Sequence, residues 1–192
     1  VFSPQFRKHF PELKNWVILE DYNCDGKNDI FTYSTAGIAV YQNTSVNSLS
    51  FTLASPLLLN SVSGINIYVS PMDLPAFTDV DYDGDIDILT FEISGGFVNY
   101  FKNTSIENYG NCDSLIYEST TGCWGNFYEG LNTYILDCYN CQCPPITNGS
   151  SSKKGVHAGS SLLAIDVDGD NDKDLILGDV SYNNLNLLIN GG

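Results

Sequence analysis

Between Asp79 and Asp87 the chain reads Asp-Val-Asp-Tyr-Asp-Gly-Asp-Ile-Asp and then runs directly into the apolar pair Ile88-Leu89. Carboxylates packed this densely repel one another unless a cation neutralises them. An all-oxygen donor set suits a hard ion that takes six to eight such ligands, which points to calcium. The arrangement returns on both sides, as Asp21-Tyr-Asn23-Cys-Asp25-Gly26-Lys27-Asn-Asp29 and as Asp166-Val-Asp168-Gly-Asp170-Asn171-Asp172-Lys-Asp174. In each copy, side chains at loop positions 1, 3, 5 and 9 are expected to hold the ion. These are Asp21, Asn23, Asp25 and Asp29; Asp79, Asp81, Asp83 and Asp87; and Asp166, Asp168, Asp170 and Asp174. The main-chain carbonyl of position 7 (Lys27, Asp85, Asp172) completes each set. About three structural calcium ions are therefore expected, bound to oxygen ligands alone.

Position 6 must turn sharply. It is Gly26, Gly84 and Asn171, residue types that tolerate a left-handed backbone. An EF-hand is excluded, because position 12 is Thr32, Thr90 or Leu177 where a bidentate Glu is required. The flanks also alternate as strands rather than running as helices. Trp16–Leu19 enters the first loop, Ile30–Tyr33 leaves it, and Ile38–Gln42 returns to Asn43-Thr-Ser. Ala76–Thr78, Ile88–Ile93 and Phe97–Phe101 repeat this up to Asn103-Thr-Ser. Leu162–Ile165, Leu175–Leu177 and Leu185–Ile189 repeat it up to Asn190, with a turn near Asn183-Asn184. From first Asp to closing Asn the three spans are nearly constant, which identifies a repeat.

The expected repeats occupy 16–43, 76–103 and 162–190 within one unit covering 1–192. Ser50–Leu53 and Ile65–Val69 are candidates for further strands of the first repeat. The longer second interval is assigned to a Cys-rich insertion and exposed loop over 104–160. A net charge of −15 argues against nucleic acid or an anionic membrane surface as partner. Much of that charge is concentrated in the three loops. No apolar run is long enough to insert in a membrane. The opening Val-Phe-Ser-Pro shows no signal peptide, so either a leader has been removed or the chain is an interior piece of a longer protein.

The pattern D-x-[DN]-x-D-[GN]-x-x-D-[IL] between strands resembles the calcium loop of FG-GAP/VCBS-type repeats, the blades of integrin-α-like β-propellers. That resemblance implies an all-β fold of four-stranded antiparallel blades. Three repeats fall short of a closed ring of four to eight blades, so the remainder of a longer chain or a neighbouring chain is expected to supply the rest. The loops running into Asp87-Ile-Leu-Thr-Phe and Asp174-Leu-Ile-Leu-Gly-Asp, with a Cys-containing insertion, are also similar to secreted proteins of Bacteroidota exported by type IX secretion. The resemblance implies an extracellular or cell-surface location and a non-enzymatic binding face for adhesion or surface assembly. Its partner would be a protein or glycan on the cell surface, or the secretion machine that carries it. Asp113-Ser114-Leu115 resembles the O-glycosylation sequence of that group, which makes Ser114 a candidate glycan site.

Six cysteines suit an oxidising compartment. A Cys112–Cys123 bridge is expected, and a second from Cys138 to Cys143 or Cys141. Cys24 is either paired across the fold or simply buried. The Cys138-x2-Cys141-x-Cys143 spacing also admits zinc. Asn43, Asn103 and Asn148 fit the glycosylation sequon, but two of them close a repeat, where a turn role explains them better. No catalytic residues are assigned: His9 and His157 are far apart in the sequence, and no nucleophile motif is present. A glycosidase would have to recruit acids such as Glu118 and Glu129. The alternative function is a carbohydrate-binding, lectin-like propeller, or an accessory domain of a polysaccharide-degrading enzyme, stacking sugars on Trp124, Phe127 and Tyr128.

Overall fold

A computed structural model describes residues 3–130, 133–144, 160–180, 183 and 185–191. Asn148, His157 and the rest of residues 145–159, within the expected 104–160 insertion and exposed loop, lie outside the described residues, as does Asn184 of the expected last turn. The fold is all-β and mainly antiparallel. Strands β1 (Val17–Glu20), β2 (Asp29–Ser34), β3 (Gly37–Asn43) and β4 (Phe51–Ser55) form the first sheet in chain order. Strands β5 (Ala76–Thr78), β6 (Asp87–Phe91), β7 (Val98–Asn103) and β8 (Tyr117–Thr121) form the second. A hairpin of β9 (Tyr128–Gly130) and β10 (Thr133–Ile135) follows, and β11 (Ser160–Ile165), β12 (Asp174–Asp179) and β13 (Leu185–Leu188) make the third sheet. A short helix α1 (Ser105–Tyr109) bridges β7 and β8 and ends on left-handed Gly110. The described sheets form an open series rather than a closed ring.

Register is the same in all three sheets. Glu20 pairs with Asp29, Thr78 with Asp87 and Ile165 with Asp174, so each acidic loop connects two antiparallel strands at one position. A register shift recurs as well, between Val40 and Tyr41 against β4 and between Tyr100 and Phe101 against β8. Two expectations need correction. Ile65–Val69 is not a strand; it makes only an isolated bridge, Leu59 to Asn66, while Ile67 and Val69 fill the core. The fourth strand of the second sheet, Tyr117–Thr121, lies inside the stretch assigned to the insertion. Its sequence Tyr-Glu-Ser-Thr-Thr carries no apolar alternation, because it pairs through β7 at an edge and buries only Tyr117 completely.

The sheets stack face to face. Ile88 and Phe77 point into the cluster shared with the first sheet, among Phe31, Ile38, Val40, Leu58 and Ile67. Leu89 and Ala76, one residue along, point into the cluster shared with the third, among Leu162, Ala164, Leu175 and Leu177. Every residue of β6 is consequently buried. The two end sheets differ. Leu19 and Leu53 on the outer face of the first are about half exposed, as are Leu163 and Leu187 on that of the third. A third, smaller cluster joins Phe97 and Tyr128 to Cys123 and Cys138. There Gly96 is required at φ +94°, since a Cβ would meet the Tyr128 ring at 2.3 Å.

All six cysteines are bridged, as Cys24–Cys112, Cys123–Cys141 and Cys138–Cys143. The expected Cys112–Cys123 pairing is overturned: Cys112 follows α1 and lies against the first acidic loop, where it meets Cys24. Cys24 is thus paired across the fold, and no thiolate remains for zinc. Three disulfides suggest an oxidising, extracellular environment. No helix among the described residues is long and apolar enough to cross a membrane.

The stacking order has a direct consequence for stability. Leu89→Ala, between two sheets, is expected to cost about 2–5 kcal/mol. Leu163→Ala, on the open face, is expected to change stability by less than about 1 kcal/mol. Urea denaturation of both variants checks the contrast, and equal losses would contradict it.

Candidate metal centres

The loop geometry begins at position 9. Asp29, Asp87 and Asp174 are wholly buried, at 0% exposure. Each accepts one N–H from position 2 of its own loop: Tyr22 at 3.2 Å, Val80 at 2.8 Å and Val167 at 2.7 Å. The other carboxylate oxygen accepts the N–H of the closing asparagine: Asn43 at 2.6 Å, Asn103 at 2.8 Å and Asn190 at 2.9 Å. Tyr100 adds a hydroxyl donor to Asp87 at 3.1 Å. The sequence reading made these residues metal ligands only. The structure gives them a second task, clamping the loop to the end of the third strand.

Position 1 caps the turn. Asp21 accepts the N–H groups of Asp25 and Gly26, Asp79 those of Asp83 and Gly84, and Asp166 those of Gly169 and Asn171. Position 5 accepts the N–H of position 7 in every copy, Asp25 from Lys27, Asp83 from Asp85 and Asp170 from Asp172. Gly26, Gly84 and Asn171 are left-handed as expected, with φ of +81°, +106° and +69°. Position 4 is left-handed too. Cys24 and Tyr82 carry that strain, whereas Gly169 adopts it freely.

The three loops differ in which carboxylates converge. In the second, ligand oxygens of Asp79, Asp81 and Asp87 lie within 4.8 Å of one another, and in the third those of Asp166, Asp168 and Asp174 do. Both sets can hold a metal ion. Among the described residues the first loop gathers no such set. Its Asp25 is paired with Lys27 at 3.0 Å, and Asn23 uses its side-chain oxygen on the Asp25 N–H. A further set, Asp81, Asp83 and Glu107, was not legible in the motif. The Lys102 ammonium sits in it, paired with Asp81 and Glu107 and, at 3.0 Å, with Asp83. The acidic loops adjoin one another: Cys24 Sγ lies 3.8 Å from the Gly84 carbonyl oxygen, and Lys173 Nζ stands 4.0 Å over the Tyr82 ring.

Burial sets the electrostatics. It pushes the carboxyl of Asp87 up to about 7, although the Asn103 and Val80 N–H groups oppose the rise. It raises Asp85 to about 6, helped by the charges of Asp83, Glu107 and Asp81 and opposed by the Ile106 N–H. Asp29 and Asp79 are raised by the same cause. At Lys102 burial works against the charge, but hydrogen bonds to Asp81, Glu107 and Asp83 outweigh it and hold the ammonium protonated.

Other candidate residues fall elsewhere. Asn43 and Asn103 each accept, through Oδ1, the N–H two residues on, from Ser45 at 3.1 Å and Ser105 at 3.2 Å, so both serve the turn, and Asn103 is wholly buried where no glycan fits. Phe127 and Tyr128 are buried in the core, with Tyr128 edge-on to Phe97, and only Trp124 of the expected sugar platform is partly exposed. Ser114 is half-buried, its N–H bonded to Ser105 Oγ at 3.0 Å. No family model, curated protein or solved structure matches the chain.

Raised folded-state carboxyls fix the sign of a pH effect. Asp87 and Asp85 start from 3.8 when unfolded, so between about 4 and 7 the folded, metal-free chain binds more protons than the unfolded one. Their contribution is present at low pH and is lost as pH rises through their folded values. In chelator, the urea midpoint is expected to be higher at pH 5 than at pH 8. A midpoint that rises over this interval would contradict the assignment.

Proposed function

We propose that this chain is a calcium-stabilised segment of a β-propeller of the FG-GAP/VCBS type, acting outside the cell as a scaffold for binding rather than as an enzyme. The observation that carries the reading is the bonding scheme repeated in three loops that stand side by side. Each sheet would be a blade, and each acidic loop a structural cation site between its first two strands. Calcium fits the all-oxygen donor sets of the second and third loops. The first loop, with Asn23 and a lysine-paired Asp25, is the weakest site. Binding there adds to folding, because a cation relieves carboxylates that the fold buries together.

The apolar outer faces of the first and third sheets support a longer stack. Leu19 and Leu53 at one end, and Leu163 and Leu187 at the other, occupy faces equivalent to those buried against the second sheet. Further blades, from the remainder of a longer chain or from a neighbouring chain, would cover them. The proposed role of the completed surface is adhesion or surface assembly with a protein or glycan partner, and secretion as type IX cargo follows from the resemblance alone. The buried positions of Phe127 and Tyr128 give no support to a sugar-stacking platform in the insertion.

Calorimetric titration of the chelator-stripped chain with calcium, beside melting curves, tests the metal reading. Saturable binding is expected, strongest in the third loop, and calcium at a hundredfold excess over Kd adds about 2.7 kcal/mol per site. Asp168→Ala is expected to remove the strongest binding event. Absence of any calcium binding, with melting unchanged by EDTA, would sink the proposal.

A further inference from the structure

Lys102 immediately precedes the closing Asn103. Gln42 and Ile189 hold that place in the other copies. Glu107, on α1, is matched by Asn47 in the first copy. The second repeat therefore carries an added lysine together with an added acid, and the two meet over the loop. Lys102 Nζ pairs with Asp81, Asp83 and Glu107 at once, with only 25% of its side chain exposed. Asp85, wholly buried beside these residues in the chain, holds the start of α1 through its Oδ2 to the Ile106 N–H and leaves Oδ1 without a donor. Backbone N–H groups alone therefore leave part of the loop's negative charge unanswered.

We propose that Lys102 is a built-in counter-ion of the second loop, an ammonium seated on Asp81, Asp83 and Glu107 that competes with a divalent cation for the loop. The competition is physical, because Asp81 belongs both to the ammonium seat and to the Asp79–Asp81–Asp87 set. A metal ion drawing on Asp81 must displace the ammonium or bind beside its positive charge. Among the described residues the third loop shows no ammonium seated on its position-1, position-3 and position-9 carboxylates. Lys173, its own lysine, places its ammonium over the Tyr82 ring, and among the described residues no ion pair reaches Asp166, Asp168 or Asp174. The second loop thus keeps its shape without metal and binds metal weakly, while the third depends on it. This selectivity rests on the calcium reading of the loops, but the counter-ion role itself does not.

The test uses the full chain with Asp168→Ala introduced to silence the third loop, so that calcium titration reads the second together with the weaker first, which Lys102 does not touch. Adding Lys102→Gln, the residue type of the first copy, is expected to tighten calcium binding by about tenfold or more through removal of a contacting charge. Lys102→Arg, which keeps the charge, is expected to leave binding at the parental level. In EDTA, Lys102→Gln alone is expected to melt below the parent and Lys102→Arg with it, and calcium is expected to restore the Gln variant. Equal affinity with and without Lys102→Gln, in a chain that binds calcium, overturns the competition and leaves the calcium reading standing. If the parent chain binds no calcium, that reading falls. A Lys102→Gln variant that melts with the parent in EDTA overturns the counter-ion role independently.

Discussion

A carboxylate buried at the junction of two strands is the constraint on which the other features depend. Asp29, Asp87 and Asp174 have no exposed surface, and a charge taken out of water is costly unless it is paired or hydrogen-bonded. Each spends its oxygens on two N–H groups far apart in sequence, one at the start of its loop and one at the closing asparagine. That bond pair fixes the length of chain between them, so the spans from first Asp to closing Asn are nearly constant. Two neutral donors reduce the cost without cancelling the charge. At Asp87 burial still raises the carboxyl to about 7 against its hydrogen bonds, and a cation beside it would relieve that cost.

On this shared scaffold the copies handle the same charge in three ways. The first loop dilutes it, with Asn23 in place of an acid and Lys27 on Asp25. The second supplies its own cation from Lys102 and adds Glu107 to hold it. In the third, among the described residues no ion pair reaches Asp166, Asp168 or Asp174, and Gly169 lets the turn form without the backbone strain that Cys24 and Tyr82 carry at the same position. A repeat can thus keep one hydrogen-bonding scheme while the charges gathered around it vary from copy to copy.

The strands beside the loops were legible in the sequence because strong alternation and fixed turn residues coincide there. Asn171 in a left-handed turn and the structural role of Asn43 and Asn103 were legible for the same reason. What could not be read has a common origin in contacts remote along the chain. Strand β8 is recognisable only through its pairing with β7, since Glu118, Ser119 and Thr120 look like loop residues. Cys112 finds Cys24 because α1 carries it back to the first loop, and the spacing of cysteines holds no trace of that path. Lys102 and Glu107 lie outside the loop motif, although an unmatched lysine one residue before the closing asparagine was a signal available by aligning the three copies.

The packing links these local solutions. Strand β6 sends Ile88 to one neighbouring sheet and Leu89 to the other, so the second repeat cannot shift without disturbing both cores. At the loop end the same neighbours touch again, through Cys24 against Gly84 and Lys173 against Tyr82. The Cys24–Cys112 bridge fastens the first loop to the chain that follows α1, the helix that also carries Glu107 onto the second. The repeat with an internal counter-ion is thus the middle one, held on both faces and at both loop contacts. A loop with its own counter-ion sits where both neighbouring sheets are packed against it, whereas the third loop borders a sheet with an uncovered face.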